Sequence, residues 1–229
     1  MPPTGHSTSQ PQRYLALAGL VAPVVFAIGV VVAGQAWEGY SHRTQNISDL
    51  GGTEAPVAIL QNANFVVFGV LVGAVAVALR QRRAEVLAAG VSSLLIAYFG
   101  VTLVVQGLTP CTPGCAEGTV LDVVHGLAAT TGFLAFAVAA LLLWRRTRSE
   151  PDWASYATVS GLAGVVTLVF FVAWFVASAV DPAGLHGGAL QRMSVGPVLV
   201  WLGVTGARLL RPPVEPPPTV QPSAGSPTG

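Results

Sequence analysis

The chain has 229 residues, of which only 9% are Asp, Glu, Lys or Arg while 52% are hydrophobic, and its formal net charge is +1. A soluble domain covers itself with about 25% charged residues, so this composition excludes an ordinary water-facing surface and points to lipid as the solvent. The small net charge also excludes nucleic acid as a partner, because phosphate binding needs a concentrated basic surface.

Crossing about 30 Å of hydrocarbon takes about 20 helical residues. Six stretches nearly free of charge reach that length: 14–36, 57–79, 86–107, 120–144, 154–180 and 191–210. The first, despite a small-residue Gly34-Gln35-Ala36 end, is longer than the roughly 7–15 apolar residues of a signal-peptide core and is read as a retained helix. The sixth holds Arg208 in its last turn, where a long side chain can reach the headgroups. The expected fold is an all-α integral membrane protein, with a six-helix transmembrane domain over 14–211. A short tail, 1–13, precedes it, and a Pro-, Ser- and Thr-rich tail, 212–229, is expected to be disordered because it has too little to bury.

All 11 basic residues are arginine, and they alternate by connection. Arg13, Arg80, Arg82, Arg83, Arg145, Arg146, Arg148, Arg208 and Arg211 fall on one side, and only Arg43 and Arg192 on the other. The side rich in arginine is expected to be cytoplasmic, which puts both termini there. Trp37, Trp144 and Trp153 mark span ends, as interfacial aromatics do. The Ala-, Val-, Gly-rich and lysine-free composition has a bacterial look, which makes the Asn46-Ile47-Ser48 glycosylation sequon irrelevant.

Taken along the chain, the polar residues collect on the opposite, outer side. His42, His125 and His186 lie on or near it, as do Glu38, Asp49, Glu54, Glu117, Asp122 and Asp181. The first outer connection, 37–56, is long for an ordered loop and carries Gln45-Asn46-Ile47-Ser48-Asp49-Leu50-Gly51-Gly52. Short polar side chains beside paired glycines suit either a turn that caps the bundle or a segment, with Ser48 and Asp49, that binds a ligand. Asn62 and Asn64 open the second span, and Gln191 and Arg192 the sixth. Singly such residues bridge helices; together they would line a pocket opening outward.

Cys111 and Cys115 flank Thr112-Pro113-Gly114 in the second outer connection, a spacing that favours a local disulfide over a metal site. Asp122 and His125, three apart at the start of the fourth span, share one helical face. They admit two readings: a hydrogen-bonded pair that holds the bundle, or a catalytic pair in which the carboxylate orients the imidazole. Gly69 and Gly73 have the spacing of close helix packing, within the chain or between chains. No phosphate-binding loop, dinucleotide fingerprint, nucleophile elbow or HExxH helix occurs.

The run Asn46-Ile47-Ser48-Asp49-Leu50-Gly51, Asn64, the pair Asp122 and His125, and the pair Gln191 and Arg192 resemble the bacterial and archaeal membrane family known as domain of unknown function 998. The resemblance covers nearly all of the chain except its tails and implies a six-helix integral membrane protein of unassigned activity. Where the family carries an aromatic-Pro element before the fourth span, this chain has Cys-Thr-Pro-Gly-Cys, so that loop departs from the pattern.

Three functions are expected to compete. One is a pocket near the outer leaflet that binds or acts on a lipid-like molecule. Its strongest form is a metal-assisted hydrolase with zinc on His125, His186 and Asp122 or Asp49. Scattered Ser, Asp and His give a superficial likeness to the membrane ceramidase and progestin-receptor superfamily, but the paired His of a terminal helix is missing. The others are a non-enzymatic envelope sensor or assembly protein, and a small-solute transporter, although the spans are nearly charge-free at mid-depth. Oligomeric state is not fixed by the sequence.

Overall fold

The computed structural model describes residues 10–82, 87–180 and 187–211, and among these it is all helical, without a strand. The C-terminal tail 212–229, most of the N-terminal tail, Asp181 and His186 lie outside the described residues. Six helices are long and apolar enough to cross a membrane: α1 (Gln10–Ala36), α2 (Ala58–Arg82), α3 (Leu87–Leu108), α4 (Val120–Thr147), α5 (Ala154–Val180) and α6 (Gly187–Leu210). Single 3-10 turns at Ser48–Gly51, Pro113–Cys115 and Pro151–Trp153 punctuate the connections. The chain is therefore a multi-pass membrane protein of the helical class.

Each helix packs on its neighbours in sequence and α6 packs back on α1, so the bundle is a closed ring in chain order, with a further α2 to α6 contact. Polarity is distributed inside out. Val24, Ile28, Val70, Leu94, Val101, Val169 and Val200 are exposed, whereas Gln61, Asn64, Thr102, Gln106, Ser160, Thr167, Ser194 and Thr205 are buried. In lipid the outer surface needs no polar cover, and side chains that hydrogen-bond between helices become the useful interior. Thr167 Oγ1 donates to the Ser194 carbonyl (3.1 Å) and Trp201 Nε1 to Ser160 Oγ (3.1 Å), joining α5 to α6.

Small residues set the closest crossings. A Cβ on Gly19 of α1 would sit 2.7 Å from Gly206 Cα of α6, so the two backbones touch where the ring closes. Gly69 of α2 meets α3 likewise, since a Cβ there would lie 2.5 Å from the Gly100 carbonyl oxygen. The Gly69 and Gly73 pair is thus used within the chain, against α3.

Helix ends differ from the sequence expectation where distant groups cap them. α6 begins at Gly187 rather than at 191, because Gly188 N–H donates to the Thr44 carbonyl (3.2 Å) and Ala189 N–H to that of Arg43 (2.9 Å). These are first-turn donors that have no partner within the helix. α1 starts early, at Gln10, since Pro11 is tolerated in a first turn. α4 runs on to Thr147, with Arg145 and Arg146 in the last turn where cations suit the helix dipole.

Candidate functional site

One end of the ring is closed by the loop 37–57. Arg192, in the first turns of α6, grips it with both terminal guanidinium nitrogens. Nη1 donates to the carbonyls of Gln45 (2.9 Å) and Gly188 (3.0 Å), and Nη2 to Tyr40 Oη (2.6 Å) and His42 Nδ1 (2.9 Å). Because arginine only donates, His42 Nδ1 is the accepting nitrogen and its ring is neutral. Desolvation and the adjacent guanidinium both hold the His42 pKa below its ordinary value. Burial pushes the Tyr40 phenol up against the opposing pull of Arg192.

The Asn46–Gly51 run supplies the remaining ties. Gln191 Oε1 accepts from Ile47 N–H, and Trp174 Nε1 of α5 donates to Asn46 Oδ1 (2.9 Å). Asp49 accepts from Asn46 N–H (2.7 Å) and from Gly114 N–H (3.2 Å), which fastens the first loop to the cysteine loop. Burial raises the Asp49 carboxyl above the usual range, opposed by those two N–H groups and by Arg192 and His125. Ile47, Leu50 and Gly51 are buried under this cap, and Asn62 Nδ2 donates to the Gly51 carbonyl (3.0 Å). Asn64 lies deeper, filling the room left by Gly29 and donating to the Phe26 carbonyl of α1 (3.1 Å).

The cysteine loop is organised by Asp122. Thr119 caps α4 by accepting from Asp122 N–H (3.1 Å), while the Asp122 carboxylate accepts in return from Thr119 N–H (2.9 Å). The same carboxylate accepts from Thr112 N–H (2.8 Å) and from Thr112 Oγ1 (3.0 Å). This capping box explains why an aspartate stands at the start of a membrane helix. Thr53 N–H donates to the Cys111 carbonyl (2.9 Å), and Cys111 and Cys115 form a disulfide. Cys115 has φ 52°, a left-handed backbone that disfavours any side chain by about 1–2 kcal/mol.

His125, one turn below Asp122, takes its orientation elsewhere. Its Nδ1 is 2.9 Å from the Thr109 carbonyl, which can only accept, so Nδ1 carries the proton and Nε2 keeps its lone pair. A nitrogen of this ring and the two cysteine sulfurs all lie within 4.8 Å of one another. The sulfurs are bonded to each other, and the oxygens of Asp122, which the sequence suggested as a partner of His125 on a zinc ion, accept from the loop. The other expected ligand, His186, is outside the described residues.

Beneath this cap lies a cavity of about 350 Å³ to which all six helices contribute. Its body is aromatic, with Phe26, Phe65, Phe68, Phe99, Phe133 and Phe171. Its polar end is Asn46, Ser48, Gln106, Asp122, His125 and Gln191, with Cys115 and Trp174 beside them. Val123 and Leu127 of α4 and Phe175 of α5 also line it while being 53%, 59% and 56% exposed, so the cavity reaches the flank of the bundle between those helices.

Of the residues singled out in the sequence, Ser48, Asp122, His125 and Gln191 come together on the lining. Asp49 stands behind them, and Asn64 and Arg192 serve helix and loop contacts off the lining. Sequence reasoning passed over Gln106 and Trp174 and took Asn46 only as part of its run, although an amide near the end of a span is the same signal that drew attention to Asn64. It also missed Gln61, fully buried one turn from Phe65, whose Nε2 has no hydrogen-bond partner among the described residues.

The sequence model of the family described as "Protein of unknown function (DUF998)" matches residues 20–208, which takes in α2 to α5 whole, most of α1 and α6, and both loops at the cavity end. No curated protein and no solved structure matches the chain.

Proposed function

The chain belongs to the DUF998 family, and on that footing we propose that its bundle is a receptor for an amphiphilic, lipid-like molecule drawn sideways from the bilayer. The observation that carries this reading is the aromatic cavity whose lining includes the exposed Leu127 and Phe175, because an opening on a lipid-facing flank admits a molecule already dissolved in the membrane. A ligand there would place its apolar part among the phenylalanines and its polar part against Ser48, Gln191 and His125. Pockets of this chemistry, mostly apolar with a few converging polar groups, are the usual form of small-molecule sites. The arginine distribution supports placing the polar end of the cavity on the extracytoplasmic side of the cell membrane, with both termini inside.

Gly126 offers a clean test, since it lines the cavity and a Cβ there meets nothing within 4 Å. Protein purified in mild detergent is expected to carry a stoichiometric amphiphile, detected by mass spectrometry of its extract, and Gly126→Trp is expected to lose it while keeping its thermal stability. Wild-type protein free of any bound amphiphile, or equal loading of Gly126→Trp, would refute the reading.

A further inference from the structure

We propose that the Cys111–Cys115 disulfide is a redox centre that exchanges electrons with a quinone held in the cavity, so that the protein oxidises dithiols at the expense of a membrane quinone. This rests on the reading of the cavity as an amphiphile site and names the class of amphiphile. Three features join. Cys115 lines the cavity and is only partly buried, whereas Cys111 is 1% exposed, so one cysteine can be reached and its partner is sheltered. His125 stands within 4.8 Å of both sulfurs with its Nδ1 committed to Thr109, which leaves Nε2 as the nitrogen able to take a thiol proton. The cavity beside them is walled by aromatic rings and open to the flank of the bundle, which suits a flat ring on an apolar tail.

The loop is built to hold this pair while leaving Cys115 reachable. Cys111 is fixed through its carbonyl by Thr53, Thr112 by Asp122, and Gly114 by Asp49. Cys115 itself holds a left-handed conformation, φ 52°. Strain of that kind in a side-chain-bearing residue is common at functional positions. A purely structural staple across three residues does not need one of its cysteines on a cavity wall.

A thiolate of an incoming dithiol attacks Cys115 Sγ and expels the Cys111 thiolate; the second thiol of that dithiol then resolves the mixed disulfide and leaves as the oxidised product. The protein now holds two thiols. His125 Nε2 takes the Cys115 proton, and the thiolate adds to the quinone ring, forming a C–S bond. Cys111 then attacks Cys115 Sγ, the S–S bond re-forms, and the C–S pair leaves with the ring. With two protons, one delivered through His125, the ring departs as hydroquinone. Two electrons and two protons pass from dithiol to quinone.

The test is a single turnover with full-length protein. Protein reduced with dithiothreitol and freed of it by desalting is mixed with a benzoquinone bearing one isoprene unit. Hydroquinone is followed by absorbance and remaining thiols by a maleimide mass shift. The expected result is one hydroquinone per chain, with thiols lost at the same rate. Formation should fall to background in Cys115→Ser, slow by about a hundredfold in His125→Gln, and slow in Gly126→Trp, which leaves both cysteines in place. Saturable quinone binding, read from tryptophan quenching, with thiols that persist would overturn the redox proposal and leave the cavity reading standing. So would binding of phospholipid but not quinone. Reoxidation of Gly126→Trp at the wild-type rate would overturn it too, and absence of any amphiphile binding would overturn both readings.

Discussion

Asp122 was one of two residues for which the sequence suggested catalysis, and the structure makes a different role testable. Its two oxygens accept from Thr112 N–H, Thr112 Oγ1 and Thr119 N–H, at 2.8, 3.0 and 2.9 Å. Asp122→Asn keeps the shape but replaces one accepting oxygen with an NH₂ group. Whichever way the amide turns, either Thr112 N–H or Thr119 N–H must face a donor. Thr119 is exposed and Thr112 half-buried, so water relieves part of the loss, and giving up the charged capping bonds costs about 0.5–2 kcal/mol. At about 2–4 °C per kcal/mol for a chain of this size, the midpoint should fall by roughly 1–8 °C. Thermal unfolding in detergent, followed by tryptophan fluorescence, measures this directly. Asp122→Asn with an unchanged midpoint but no ligand uptake would refute the structural assignment and return Asp122 to the ligand.

Three further perturbations follow from the same geometry. Arg192→Lys cannot reach Gln45, Gly188, Tyr40 and His42 from a single nitrogen, so it should lose roughly 2–3 kcal/mol and raise hydrogen exchange across 40–47. His42, whose folded pKa lies below its ordinary value, makes the unfolded state the better proton binder. Stability is therefore full above about pH 6.5 and declines as pH falls through that value. Exchange in 40–47, corrected for its intrinsic rate, should rise between about pH 7.5 and 5.5 in wild type and stay flat in His42→Gln. Gly19→Val would drive a side chain into the Gly206 backbone, costing at least about 1–3 kcal/mol. A midpoint equal to wild type would show that the α1 and α6 backbones do not touch.

The fold was legible because lipid imposes simple rules. Charge scarcity and span length located six helices within a few residues, and the α5 bounds coincide with those expected. What escaped was set by partners remote in sequence. The start of α6 depends on the carbonyls of Arg43 and Thr44 in the first loop, which no local pattern reveals. The same distance hid the role of Arg192, whose loop partners lie about 150 residues upstream. Asp122 and His125 share a face as their spacing implied, yet each found a better partner in the cysteine loop: Thr112 for the carboxylate and the Thr109 carbonyl for the imidazole. Residue type and spacing place two groups side by side, whereas the direction each faces is decided by which backbone donors and acceptors the adjoining loop brings within reach.

The closed ring has a consequence for biogenesis. Each helix can dock on its predecessor as soon as that hairpin is in the membrane, so most of the bundle assembles from local contacts. The contacts of α6 are different: its Gly206 seam with Gly19, its packing on α2 and the ties from Gln191 and Arg192 to the first loop all wait for the last helix. Val195, Val198 and Gln191, which wall the cavity, reside on that last helix. The chamber therefore comes into being only at the final docking step, and a nascent chain short of α6 would expose its aromatic interior to the surrounding lipid.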